Sequence, residues 1–109
     1  MIRGAAAPGR AEDPVPYVVA ATWKAKPGEA DACLALLGRV AEASRKEPGC
    51  LMFLVHRSVE DPSTFFLYEQ YTSEAAFTDH AGSDHVRRLV LDDAVHRLEV
   101  RRREIFELI

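Results

Sequence analysis

Apolar and β-branched side chains crowd residues 17–25, YVVAATWKA, and predict a strand opening at Tyr17. The KPGE segment at 26–29 reads as a strand-to-helix turn, with Pro27 and Gly28 as its breakers. From 29 to about 46, Cys33, Leu34, Leu37, Val40, Ala41 and Ser44 recur with the 3.6-residue period of an amphipathic helix. Gly38 weakens that helix locally, and Pro48–Gly49 ends it. CLMFLVHRSV at 50–59 predicts a second strand, EDPS at 60–63 a turn, and TFFLYEQY at 64–71 a third strand. The short connection makes the pair an antiparallel hairpin. Short helices open near 73 and 83, where Ser73 and Ser83 stand as N-caps with acids in the first turn. VHRLEV at about 95–100 predicts the last strand, followed by a short apolar end, IFELI.

The order β-α-β-β-α-β is that of the ferredoxin-like split βαβ unit, an α+β fold with an antiparallel sheet. The second strand has two apolar faces: Leu51, Phe53 and Val55 point one way, Met52 and Leu54 the other. A half-buried sheet ordinarily has one polar face. Helices cover one face here, so a second subunit is expected to cover the other, as a homodimer.

Composition narrows the function classes. The 109 residues carry 14 basic and 17 acidic side chains, a net charge of −3, with 48% hydrophobic residues. That balance gives no general attraction to nucleic acid and argues against a disordered chain. The basic stretch RLEVRRRE at 97–104 reads as a charged terminal strand paired with nearby acids. No apolar run approaches the roughly 20 residues of a membrane span. MIRGAAAPGRAEDPVP lacks a secretory apolar core, so residues 1–15 are expected to form a flexible leader before a single domain at 16–109. Cys33 and Cys50 form neither a CxxC pair nor a disulfide framework, and a cytoplasmic location is expected. Glycine-rich phosphate loops, GxSxG and dinucleotide fingerprints are all missing from the sequence.

The candidate chemistry rests on His56, His80, His85, His96 and Glu69. His80 and His85 lie five apart across Gly82, unlike the HExxH spacing of a helical zinc site. A metal would need His56 or Glu69 to join them, and no metal is expected. Their bland role is capping and hydrogen bonding at the helix break; their functional role is in a pocket. Glu69, between Tyr68 and Tyr71 in a strand, needs a partner. That is either an ion pair with Arg57 or another arginine, or work as a base or acceptor for a ring hydroxyl. Aromatic residues are mostly core, with Trp23, Phe53, Tyr68 and Phe77 the candidates for a flat substrate pocket. Cys33 falls on the apolar helix face, and Cys50 has no evident base.

From Glu47 to Leu89 the sequence resembles the antibiotic biosynthesis monooxygenase domain family, including its small quinol monooxygenase-like members. The resemblance is carried by EPGC at 47–50, HRS at 56–58, DP at 61–62, FFLYEQY at 65–71, AF at 76–77, His80 and SDH at 83–85. With the first strand and helix it covers about 17–100. It implies a dimeric α+β barrel of ferredoxin-like subunits. It also implies oxygenation of a hydroxylated aromatic, quinol or polyketide-like substrate by O₂, without metal, flavin, haem or other cofactor. Roles in that chemistry pass to Glu69, His80, His85, His56 and Tyr71. Haem-degrading members place asparagine, tryptophan and histidine where this sequence has Ala21, His80 and Val90, so haem degradation is not expected. The rival readings are a cofactor-free isomerase of a small dione-type metabolite and a non-catalytic dimeric binding or stress module.

Overall fold

A computed structural model describes residues 15–109. The expected leader lies almost wholly outside the described residues. Strand β1 (Tyr17–Ala25) leads through a turn into helix α1 (Ala30–Arg45), and the hairpin β2 (Cys50–Arg57) and β3 (Thr64–Tyr71) follows. Gly28 makes the first turn at φ 82°, a backbone conformation that glycine reaches without strain. Helix α2 (Glu74–Ala81) and the single turn α3 (Asp84–Val86) are capped by Ser73 and Ser83, whose hydroxyls accept from the amides of Ala76 and Val86. A wide π-type turn at Arg87–Leu91 and a 3₁₀ turn at Ala94–Arg97 then lead into β4 (Leu98–Glu107).

The sheet is antiparallel throughout, in the order β2-β3-β1-β4. This ferredoxin-like arrangement agrees with the expected order of elements, but the expected barrel does not form. The four strands make an open sheet whose edges are β2 and β4. Strands twist by roughly 20–25° from neighbour to neighbour, and closing a filled barrel takes about eight strands.

One face of the sheet packs on the helices. Ala21 and Trp23 of β1, Phe53 of β2, and Phe65 and Leu67 of β3 meet Leu36, Leu37, Val40 and Ala41 of α1, with Val86, Leu89 and Val90 closing the end. Leu36, not Leu34, completes the buried helix face; Leu34 is 40% exposed. Leu51 also departs from the expected alternation. The β2–β3 register shifts between Cys50 and Met52, leaving Leu51 without a partner and 54% exposed. The final strand begins later and runs further than 95–100, because residues 95–97 are wound into the 3₁₀ turn. Arg97 fastens that turn, reaching Glu29 at 2.7 Å and Asp93 at 2.7 Å.

The turn after α1 comes against α2. A methyl group built on Gly49 would stand 2.5 Å from Cβ of Ala76, so only glycine fits there without displacement. This close approach brings Glu47 beside the end of α2.

Candidate functional site

A cavity of about 290 Å³ lies between the helix-facing side of the sheet and helices α1 and α2. Its apolar wall includes Val19, Ala21 and Trp23 from β1, Phe53 from β2, Leu67 from β3, and Phe77, Val86 and Val90. Its polar groups are Glu69 of β3, His80 of α2, and arginines of β4. The strand register explains the grouping, since Glu69 pairs with Val19 on one side and Phe53 on the other. Ala21 and Trp23 in turn pair with Arg103 and Arg101.

Glu69 and Tyr71, two apart on one strand, point to the same face. The Tyr71 hydroxyl donates to Oε1 of Glu69 at 2.6 Å, and both residues are buried. Burial pushes the Glu69 carboxyl up to about 7, against the Tyr71 hydrogen bond and the charges of Arg103 and Arg101. Burial and the adjacent Glu69 charge push the Tyr71 phenol well above its usual value, so it stays a donor.

His80, 7% exposed, links this pair to a second carboxylate. Its Nδ1 lies 2.9 Å from Oε2 of Glu47, and its Nε2 lies 3.9 Å from Oε1 of Glu69. The Glu47 carboxylate accepts from Nδ1, which leaves Nε2 with its lone pair on the Glu69 side. Burial lowers the His80 pKa despite the opposing pull of Glu47, favouring the neutral ring. Oε2 of Glu47 also accepts from Nε2 of His85 at 2.6 Å, and the Ser83 hydroxyl lies 3.3 Å from that nitrogen. Phe77 stacks against His80, with ring centroids 6.0 Å apart.

The residues singled out by sequence therefore fall into three places. Glu69, His80, Trp23, Phe53 and Phe77 line the cavity. Tyr71 stands behind Glu69, and His85 reaches His80 through Glu47. His56 and Tyr68 belong to the opposite face of the sheet. His56 packs at 5.5 Å on the ring of Phe66, and Tyr68 takes a 2.9 Å hydrogen bond from Gln70. Arg57 stands over Phe65 rather than meeting Glu69 in an ion pair. His96 is exposed on the 3₁₀ turn, and Cys33 is buried in the core.

Sequence reasoning missed Glu47, Arg101 and Arg103 as site residues. Glu47 sits in a turn that reads as helix punctuation, and its histidine partners are 33 and 38 residues away. The alternation of β4 carried a signal for the arginines, because it puts Arg101 and Arg103 on the same face.

A metal at His80 and His85 would have needed His56 or Glu69 as a third ligand; the group that meets the two histidines is Glu47 instead. One donor atom from each lies within 4.8 Å of the others. Two imidazoles and a carboxylate are ligand types suited to zinc or iron. The same three groups are mutually satisfied by two histidine-to-carboxylate hydrogen bonds.

The fold and cavity define a class: a small ferredoxin-like α+β domain with a carboxylate–histidine pair facing an apolar slot. The family model described as "Antibiotic biosynthesis monooxygenase" matches residues 16–90. The chain belongs to the antibiotic biosynthesis monooxygenase family. Among solved structures, PA3566 from Pseudomonas aeruginosa superposes with a TM-score of 0.83 at 26% identity, over 90% of this chain and 98% of that one. Rv0793 from Mycobacterium tuberculosis shares the fold, with a TM-score of 0.80 at 24% identity, over 86% of this chain and 95% of that one. The uncharacterised protein sll1783 of Synechocystis sp. is 30% identical over 80 residues, 73% of this chain and 53% of the relative. The chain thus spans about half the length of that relative. Among the described residues, no helix is long and apolar enough to cross a membrane.

Proposed function

We propose that this chain is a cofactor-independent monooxygenase that oxidises a hydroxylated aromatic or quinol with O₂. The observation that carries the reading is the orientation of His80, bound to Glu47 through Nδ1 and facing the cavity side with Nε2. A neutral histidine so held is a base for a phenolic proton, and Glu47 steadies the imidazolium that results. The apolar wall keeps water from the electron-rich anion, which passes electrons to O₂. Glu69, in the protonated form that burial favours, donates to the developing oxyanion, with Tyr71 holding its other oxygen.

The chemistry balances without an added reductant. A quinol and O₂ give a hydroxyquinone and water. One oxygen atom replaces a ring hydrogen, the O–O bond breaks, and the other atom leaves as water. The substrate supplies all four electrons. His80 takes the phenolic proton and returns one to the peroxide oxygen that departs.

The same reading includes a homodimer built on the sheet face away from the helices. Met52 and Leu54 of β2, Phe66 of β3 and Phe106 of β4 are exposed there, an apolar patch typical of subunit contact. Two unpaired thiols fit a reducing, cytoplasmic setting.

The deciding experiment is O₂ uptake by metal-analysed protein with a panel of quinols and polycyclic phenols, corrected for autoxidation. Protein-dependent uptake with one class, lost in a folded His80→Ala variant, is the expected result. Uptake that follows bound metal overturns the cofactor-independent mechanism. No protein-dependent uptake across the panel overturns the oxygenase reading in favour of an isomerase or binding module.

A further inference from the structure

We propose that the aromatic substrate carries an anionic substituent, a carboxylate or its sulfonate or phosphate equivalent, and that Arg101 and Arg103 hold it at the cavity wall formed by β4. The proposal rests on the reading of this cavity as the substrate site and adds the substrate's second recognition point.

On the helix-facing side of the sheet, β1 places Val19, Ala21 and Trp23, and β3 places Phe65 and Leu67. The same side of β4 carries Arg101 and Arg103, registered beside Trp23 and Ala21, where alternation alone would call for apolar side chains. Both arginines line the cavity. Elsewhere on the described surface, Arg87, Arg88 and Arg97 each reach a carboxylate at 2.6–2.8 Å. Among the described residues, Arg101 and Arg103 reach none within ion-pair distance. The carboxylate among the residues lining the cavity, Glu69, takes the Tyr71 hydroxyl on Oε1 and acts on the arginines through space, without an ion-pair contact.

Both arginines are exposed, yet each borders the cavity. The Arg103 guanidinium stands 5.2 Å from the centroid of Phe77, a ring of the cavity wall, and is held there by its face. Burial and the neighbouring Arg103 charge both press on Arg101, pushing its pKa below the usual value. Two like charges side by side at the cavity wall disfavour each other, and an anion between them relieves both. A guanidinium pair suits carboxylate, sulfonate or phosphate oxygens through forked hydrogen bonds. This local positive charge sits in a chain of net charge −3, so it does not follow from composition. With the hydroxyl end of a ring at His80 and Glu69 and the anionic end at the arginines, a flat substrate has one orientation rather than two.

Trp23, the single tryptophan, lines the cavity and reports binding by its fluorescence. The test is an anaerobic titration with 1,4-dihydroxy-2-naphthoate, its methyl ester and 1,4-dihydroxynaphthalene, confirmed by equilibrium dialysis. Oxygen uptake is then measured with the same three compounds. The acid is expected to bind roughly tenfold or more tightly than the ester, in line with a charge-assisted hydrogen bond. Arg101→Gln with Arg103→Gln is expected to bring the acid-to-ester ratio to about one, with Lys at both positions restoring part of it. Equal affinity for acid and ester in the native chain overturns the anion subsite, and so does a preference that survives the double variant. Uptake with ester and acid alike, without preference, leaves the oxygenase standing and sinks the subsite. Tight, arginine-dependent acid binding without uptake does the reverse. If none of the three compounds binds, both proposals fall.

Discussion

His80 and Glu47 meet at 2.9 Å through Nδ1 and Oε2, so a carboxylate from the turn before β2 sets the proton position of a histidine on α2. The pairing has the logic of an orienting acid behind a general base. Glu47→Gln is expected to lower kcat by roughly 10- to 100-fold, within the range of general-base effects. KM should change little, because Glu47 does not line the cavity. Steady-state O₂ uptake separates the two constants, and a change confined to KM removes the orienting role.

Glu69 links activity to a stability profile. Its carboxyl rises from an ordinary value of 4.5 to about 7 on folding. A raised folded pKa contributes stability that is complete below the unfolded value and is lost as pH climbs through about 7. Glu69→Gln keeps an acceptor for Tyr71 and removes the titration. Denaturant unfolding should show the variant close to native near pH 4 and more stable at pH 8, by up to about 3 kcal/mol. His80 works in the opposite sense, its lowered pKa withdrawing stability as pH falls, but it is common to both proteins and cancels in the difference. Parallel pH profiles for the two proteins would show that Glu69 ionises as an exposed carboxylate does.

The uncovered face of the sheet predicts an assembly. Light scattering on the native chain should report twice the chain mass. Phe66→Lys together with Leu54→Lys should halve it while leaving the far-UV circular dichroism intact, since both side chains are exposed and belong to the face opposite the helices. A native monomer contradicts the homodimer directly.

Ser44 offers a stability gain. It is fully buried on the inner face of α1, and its hydroxyl finds no hydrogen-bond partner among the described residues. Ser44→Ala removes an unpaid desolvation and improves helix propensity, so a gain of about 1 kcal/mol is expected in chemical denaturation. A loss of similar size would mean that the hydroxyl has an ordered water as partner.

The fold was legible where the sequence repeats a physical period. Strand β1, helix α1 and the hairpin follow from apolar spacing and from Pro–Gly punctuation, and the serine caps follow from local hydrogen bonding. Leu51 was misread because a register shift is invisible to strict alternation. The start of β4 was misread because Val95, His96 and Arg97 are as compatible with a strand as with the 3₁₀ turn they form. Closure into a barrel was carried by resemblance alone, and nothing in the spacing of four strands required it. At the site, Glu69 stood out as a charge inside an apolar strand, and His80 as one of few histidines. Glu47 did not stand out, because a carboxylate in a turn is ordinary until the fold brings two imidazoles to it.

The contact between Gly49 and Ala76 gives that meeting its tolerance. The spacing between the turn and α2 is gauged by main chain against a methyl group, with no long side chain in between that could yield. Glu47 lies two residues before this contact and His80 about one helical turn after it. A missing side chain therefore keeps the acid and the base in reach of one another, and the smallest residue in the segment governs the alignment of its most reactive one.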